Sequence, residues 1–289
     1  MSELPPERNL MLTLAYDGTA YVGWQTQANG LAVQECVERA VEKLTGVRSV
    51  VLCAGRTDSG VHALGQVVSL RTRSRIVADQ FRRGLQRYLP DDILVVAARD
   101  VSPKFHATWS AVGKSYRYVI FDGVICPPFM SRLVSRVRQP LDVPAMQAAL
   151  PWLLGRQDFR CFETHYPNKQ TSVRTITAAT IQRLPVWMPW GTSHQWLTGS
   201  THISELRPVE VQESPYIVFD VTADGFLYNM VRAIAGTLMR IGVGHRPPED
   251  MRDVIRSLDR NEAGMTAPAC GLYLVQVEYP EDLLQPPTD

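Results

Sequence analysis

The order of predicted elements places this chain among α+β or α/β proteins with a largely antiparallel sheet. Two observations carry that expectation. β-rich runs and amphipathic helical stretches follow one another in mixed order, and several strand-to-strand connections are too short to hold a crossover helix. At 289 residues, 45% hydrophobic and 20% charged, the chain can bury one substantial core or two modest ones, so wholesale disorder is not the default.

The first strand is Leu10-Met11-Leu12-Thr13-Leu14-Ala15-Tyr16, ending at Asp17-Gly18. Asn29-Gly30 marks the entry to a helix whose Val33, Val37, Ala40, Val41 and Leu44 recur at helical spacing, with Gly46 to close it. Val50 to Cys53 and Val67 to Leu70 are β-rich, a helix is predicted over 79–89 with Phe81, Leu85 and Leu89 on one face, and Ile93 to Ala98 forms another strand. Lys114 to Ile120 alternates so that Tyr116, Tyr118 and Ile120 share one face. Asp142 caps a helix with Pro144 in its first turn, and Pro151 interrupts or kinks it. Val173 to Leu184 and Tyr216 to Thr222 read as strands, and 229–242 as a buried helix, apolar nearly all round. Pro248 to Leu258 forms a short helix and Leu272 to Tyr279 a last strand. Residues 185–210 break this rhythm with Pro185, Pro189, Pro208 and three of the six tryptophans, as an inserted loop or extended hairpin would. An echo between Asp17-Gly18-x-x-Tyr21 and Asp224-Gly225-x-x-Tyr228, each between a strand and a helix, is what two related halves would leave.

No apolar run approaches the roughly 20 residues of a membrane-spanning helix, and the N-terminal MSELPPERNL lacks the order of a signal peptide. A cytoplasmic protein is expected. The five cysteines are odd in number and scattered without metal-ligand spacing, which favours reduced, mostly buried thiols. Net charge is +1, yet only four of the 30 basic residues are lysines. Arginine's planar fork suits phosphates and base edges, and a GC-rich genome would produce the same bias.

The most informative stretch is Ala54-Gly55-Arg56-Thr57-Asp58-Ser59-Gly60-Val61-His62-Ala63. It sets one carboxylate in a glycine-bracketed turn between two apolar strands, which serve as its rigid mount. Asp58, Arg56, Tyr116 and Arg232, the last inside an apolar helix, form the candidate chemical set. Each also has a plain structural role open to it: Asp58 as a turn brace, Tyr116 in the core, Arg232 reaching solvent from a helix edge.

The joint pattern resembles the bacterial tRNA pseudouridine synthase A family along nearly the whole chain. Tyr16-Asp17-Gly18-Thr19-x-Tyr21-x-Gly23-Trp24-Gln25 is similar to its first block and Gly55 to Ala63 to its catalytic block. Phe105-His106-Ala107 with Tyr116-Arg117-Tyr118, Asn229-Met230-Val231-Arg232 with Gly236, and Thr266-Ala267-Pro268-Ala269 with Gly271-Leu272-Tyr273-Leu274 complete five ordered blocks. The resemblance implies isomerisation of uridine to pseudouridine at positions 38–40 of the tRNA anticodon arm, without cofactor, metal or redox step. Asp58 would be the nucleophile, attacking either the ribose anomeric carbon or the uracil ring. Arg232 would keep that carboxylate ionised. Tyr116 would stack on the extruded uracil. Arg56 would fill the vacated space or hold a phosphate, and Lys114, Arg117 and the arginines of 71–83 would contact the RNA backbone. His62 and His106 are read as structural.

The resemblance also implies two ferredoxin-like halves, 1–104 and 105–289, sharing one continuous sheet, and a homodimer with tRNA across both subunits. Two features depart from the family pattern: the 185–210 insertion and Cys161, where a small hydroxyl residue is common. A non-catalytic tRNA-binding protein on the same scaffold is the main alternative. A hydrolase with an aspartate nucleophile would need a water-activating group that no motif supplies.

Overall fold

The computed structural model describes residues 5–164, 171–188 and 214–286. In chain order the elements are β1 (Arg8–Tyr16), α1 (Val33–Thr45), β2 (Leu52–Cys53), β3 (His62–Thr72), α2 (Ala78–Gln86), β4 (Ile93–Val101) and β5 (Gly113–Phe121). Next come β6 (Ser135–Arg136), α3 (Val143–Ala149), β7 (Gly155–Asp158), β8 (Val173–Leu184), β9 (Tyr216–Ala223), α4 (Met230–Gly242), α5 (Asp250–Ser257), β10 (Leu272–Glu278) and α6 (Glu281–Leu284). The chain is an α+β protein. The inserted tryptophans Trp190 and Trp196 lie outside the described residues, whereas Trp187 is buried.

The chain divides into two compact units. Unit one holds residues up to Tyr116, Thr222–Phe226 and everything from Leu272 onward; unit two holds Arg117–Val221 and Leu227–Gly271. The division is discontinuous because β10 pairs with β3, so the end of the chain returns to unit one. Periodicity along a sequence carries no information about such long-range pairing.

In unit one the strand order is β4-β1-β3-β10. β1 pairs antiparallel with β3, Leu10 opposite Leu70 and Leu12 opposite Val68, and antiparallel with β4 on its other edge. Leu10, Leu12 and Leu14 are all fully buried, as a central strand requires. Helix α1 lays Val33, Val37, Ala40 and Val41 in the core and closes at Gly46, whose φ of 73° is the left-handed cap the sequence suggests. Helix α2 buries Phe81 and Leu85 but stops before Leu89, which is buried in the turn beyond. The Val50–Cys53 run supplies only the two-residue β2.

Two features of this sheet fix the path of the chain into β3. The β1–β3 register shifts between Leu14 and Tyr16, just before the Asp17-Gly18 turn. β10 joins β3 in parallel at Tyr273–His62 and Leu274–Ala63, and a side chain at Gly65 would come within 2.3 Å of the Val275 carbonyl oxygen. The start of β3 is thus held from both sides.

In unit two the order is β5-β9-β8-β7, with β6 parallel to β5. From Tyr116 to Phe121 every residue of β5 is buried, so the alternation seen in the sequence does not separate a wet face from a dry one. Asp142 Oδ1 accepts from the Ala145 amide at 2.9 Å to cap α3, and at Pro151 the chain has tightened into a 3-10 turn over Leu150–Leu153. Helix α4 is buried on most of its circumference. A Cβ at Gly236 would lie 1.8 Å from the Met265 carbonyl oxygen, so the 264–267 segment can lie directly against α4 only because that residue is glycine. Thr237 Oγ1 accepts from the Gly264 amide at 2.8 Å, and the Ala267 amide donates to the Arg232 carbonyl at 3.1 Å.

Candidate active site

Asp58 sits in the loop between β2 and β3, in a tight turn closed by the Val61 amide donating to the Asp58 carbonyl at 3.1 Å. Gly60 takes φ +76°, which only glycine adopts cheaply. Gly55 serves differently: a Cβ there would lie 3.1 Å from the Lys114 ammonium, so its bareness admits a neighbour.

The mount extends beyond the two flanking strands. The Tyr21–Trp24 segment of the first motif clamps the turn from outside. The Trp24 amide donates to the Thr57 carbonyl at 2.9 Å, the Gly60 amide and the Ser59 hydroxyl donate to the Tyr21 carbonyl at 3.4 and 3.2 Å, and Gly23 forms an isolated β-bridge with Asp58. Gly23 holds φ +107°, and a Cβ on it would lie 2.6 Å from the Thr57 carbonyl oxygen. Gly18 touches the far end of the turn: a side chain there would meet the Val61 oxygen at 2.0 Å.

A buried polar network underlies the loop. Gln66 Nε2 donates to the Gly55 carbonyl at 2.7 Å and to Tyr16 Oη at 3.4 Å, and the Tyr16 and Thr57 hydroxyls share a hydrogen bond of 2.8 Å. Burial pushes the Tyr16 phenol far above its usual value, so it remains protonated. Lys114 Nζ donates to the Ala54 carbonyl at 2.7 Å, within the loop that bears Asp58. Burial raises the Cys53 thiol to about 11, opposed by the positive charges of Lys114 and Arg56; both cations therefore act on the strand that leads to Asp58.

Tyr116 is buried, its ring edge-on to Phe226 with centroids 5.0 Å apart. Its phenol is held above the ordinary range first by burial and then by electrostatic interaction with Tyr16, Asp58 and Cys53. Asp58 and Tyr116 thus share one electrostatic neighbourhood.

His62 is structural. It is 1% exposed and stacks on Tyr273 with ring centroids 4.7 Å apart. Its Nδ1 lies 3.1 Å from both the Gly18 amide nitrogen and Asp17 Oδ1. The His62 contact is the largest cause holding the Asp17 carboxyl well below the usual range. His106 also has a structural place, its Nδ1 accepting from the Thr108 and Trp109 amides.

In unit two, Arg232 projects from α4, with Nε donating to the Ala267 carbonyl at 2.7 Å and Nη1 to Asn229 Oδ1 at 2.8 Å. Arg117 departs from the expected RNA contact. Its side chain is 8% exposed, and Nε and Nη2 form a fork onto Asp220 at 2.7 and 2.9 Å, so the guanidinium is engaged inside the protein. Cys161 is fully buried and its thiol is raised to about 12 by burial, consistent with a packing role. Of the five cysteines, all free, only Cys36 and Cys161 are buried; Cys53, Cys126 and Cys270 are partly exposed. Among the described residues no helix is long and apolar enough to cross a membrane.

Sequence reasoning missed the clamp and the network. Gly23 and Gln66 had a signal, a glycine inside a motif and a polar residue inside an apolar strand, but neither reveals its partner.

Comparison with known proteins identifies the family. A family model described as tRNA pseudouridine synthase matches residues 13–110 and 149–280. Over 272 residues the chain is 40% identical to tRNA pseudouridine synthase A of Acetivibrio thermocellus, covering 94% of this chain and 100% of that protein. It is 39% identical over the same coverage to the Pelobacter propionicus protein of that name, and 40% identical to that of Moorella thermoacetica, covering 93% and 99% of the two chains. The chain belongs to the tRNA pseudouridine synthase family, isomerases that act on uridine in tRNA.

Proposed function

We propose that this protein isomerises uridine to pseudouridine at positions 38–40 of the tRNA anticodon arm, with Asp58 as the nucleophile. The observation that carries the reading is the firmly held turn: the Tyr21–Trp24 segment, the close approach of Gly18 and a buried network fix the backbone of the loop that bears Asp58. In the reaction the N1–C1′ bond breaks, a C5–C1′ bond forms, the C5 hydrogen leaves as a proton and N1 takes up a proton. No electrons are exchanged with any other species. The Asp58 carboxylate donates an electron pair to the ribose anomeric carbon or to the uracil ring, and its bond is released when the base rejoins through carbon.

The remaining roles rest on the same reading. Tyr116 stacks on the extruded uracil, an interaction of about 1–3 kcal/mol per base that offsets the cost of extrusion. Arg56 fills the vacated position or holds a phosphate. Lys114 steadies the Asp58 loop through Ala54 and adds positive charge beside it. Arg232 is the counter-charge for Asp58, on the strength of the resemblance. The functional form is a homodimer with tRNA lying across both subunits. Arg117, paired with Asp220, is left out of the binding set.

The test is tritium release from tRNA transcripts carrying 5-tritiated uridine, followed by mapping of the product. Release with pseudouridine at positions 38–40 supports the proposal. Binding without release supports the non-catalytic alternative, and product elsewhere in the tRNA overturns the site assignment.

A further inference from the structure

We propose that Trp109 is a preformed stacking platform for an unpaired nucleobase of the RNA, separate from the pocket that takes the target uridine; the inference rests on the proposed tRNA reading. Trp109 is 83% exposed, an unusual state for the largest aromatic side chain in a loop otherwise held tightly in place. One face of its indole lies on the His106 imidazole, with centroids 4.1 Å apart and planes 13° from parallel. The opposite face is the one left for a ligand.

The loop is fixed before anything binds. His106 Nδ1 accepts from the Thr108 and Trp109 amides at 3.1 and 3.3 Å, which sets the ring's orientation under the indole. The Ala107 amide donates to Ser69 Oγ at 3.2 Å, and Tyr279 Oη donates to the Ala107 carbonyl at 2.7 Å. The Thr108 hydroxyl donates to the Cys53 carbonyl at 2.6 Å. A rigid aromatic loses little entropy on stacking, which is what a platform requires.

Two observations favour a nucleobase over an apolar partner. Thr108 is bonded to the strand that reaches Asp58 five residues later, a span of at most about 18 Å, so an RNA seated at Asp58 has nucleotides within reach of the indole. The surroundings are also cationic: Lys104 is in the same loop, Arg71 donates to the Pro103 carbonyl, and Lys114 and Arg56 act on Cys53. The segment 101–121 carries no acidic residue; the acids near its ends are Glu278, whose carboxylate approaches Gly113, and Glu281 and Asp282 of α6, where the Leu283 carbonyl accepts from the Ser102 amide. A flat ring beside a phosphate-attracting surface is the chemistry of single-stranded nucleic-acid binding.

The experiment combines a cross-link with binding. Ultraviolet irradiation of wild-type protein with unmodified tRNA, followed by peptide mapping, is expected to place a nucleotide on the peptide that contains Trp109; this step requires no variant to fold. Trp109→Ala and Trp109→Leu are expected to weaken tRNA binding by about 5- to 150-fold, with Trp109→Phe within about threefold of wild type. Binding by Trp109→Ala or Trp109→Leu within twofold of wild type, or a map without that peptide, overturns the inference. So does a Trp109→Ala protein altered only in its self-association. If wild-type protein releases no tritium from tRNA, the functional reading fails; if it does and these variants bind normally, only the platform fails.

Discussion

Replacing Gly23 with alanine tests whether the clamp on the Asp58 turn serves catalysis. The residue holds φ +107°, and the added Cβ would stand 2.6 Å from the Thr57 carbonyl oxygen and 3.1 Å from the Asp58 carbonyl carbon. To restore the 3.4 Å of ordinary contact, backbone on one side must retreat by about 0.8 Å, and both sides are hydrogen-bonded main chain. The backbone strain costs about 1–3 kcal/mol of stability. A displacement near 1 Å at the reacting group lowers kcat by roughly 100-fold. Gly46→Ala is the control, because it imposes φ +73° on alanine with nothing within 4 Å of the new Cβ and should lose stability without losing kcat. The assay is tritium release at saturating tRNA, beside urea denaturation of both variants. The reasoning is refuted if Gly23→Ala keeps kcat within threefold of wild type, or if Gly46→Ala loses as much.

Individual contacts give two further expected outcomes. Arg117→Met removes the guanidinium fork from Asp220 and should lower stability by about 2 kcal/mol while leaving the salt dependence of tRNA binding unchanged; a salt slope smaller by about one, with full stability, would restore Arg117 as a phosphate contact. The Asp17 carboxyl is depressed in the folded state, so its contribution is fully present above the unfolded value near 4 and is lost as pH falls through the folded one. The stability gap between wild type and Asp17→Asn should therefore be narrower at pH 3 than at pH 5 in urea titrations, and a gap that widens on acidification contradicts the assigned contact.

The local elements were legible because their signals are local. The spacing of Val33, Val37, Ala40 and Val41 with Gly46 beyond them defines α1, and the Val173–Leu184 run defines β8, since each pattern needs only its own residues. The turn that bears Asp58 was legible for a related reason: a carboxylate between glycines in a strand connection is anomalous on its face. What closes that turn was not. Gly23, Gln66 and the parallel pairing of β10 with β3 act across tens or hundreds of residues, and no periodicity encodes such partners. Arg117 illustrates the converse. An arginine in a basic motif reads as an RNA contact until Asp220, over a hundred residues away, is seen to occupy it. The Pro- and Trp-rich stretch of 189–210 falls outside the described residues, so the insertion stays an expectation of the sequence.

In the proposed reaction one carboxylate does the chemistry while its surroundings do the positioning. Asp58→Ala measured for tritium release and for tRNA affinity tests it most directly, because backbone bonds to the Tyr21–Trp24 segment remain available to hold the turn. The account predicts that release falls by roughly 10⁴-fold or more while Kd stays within about threefold of wild type. Release within tenfold of wild type would contradict it and return Asp58 to the role of a turn brace.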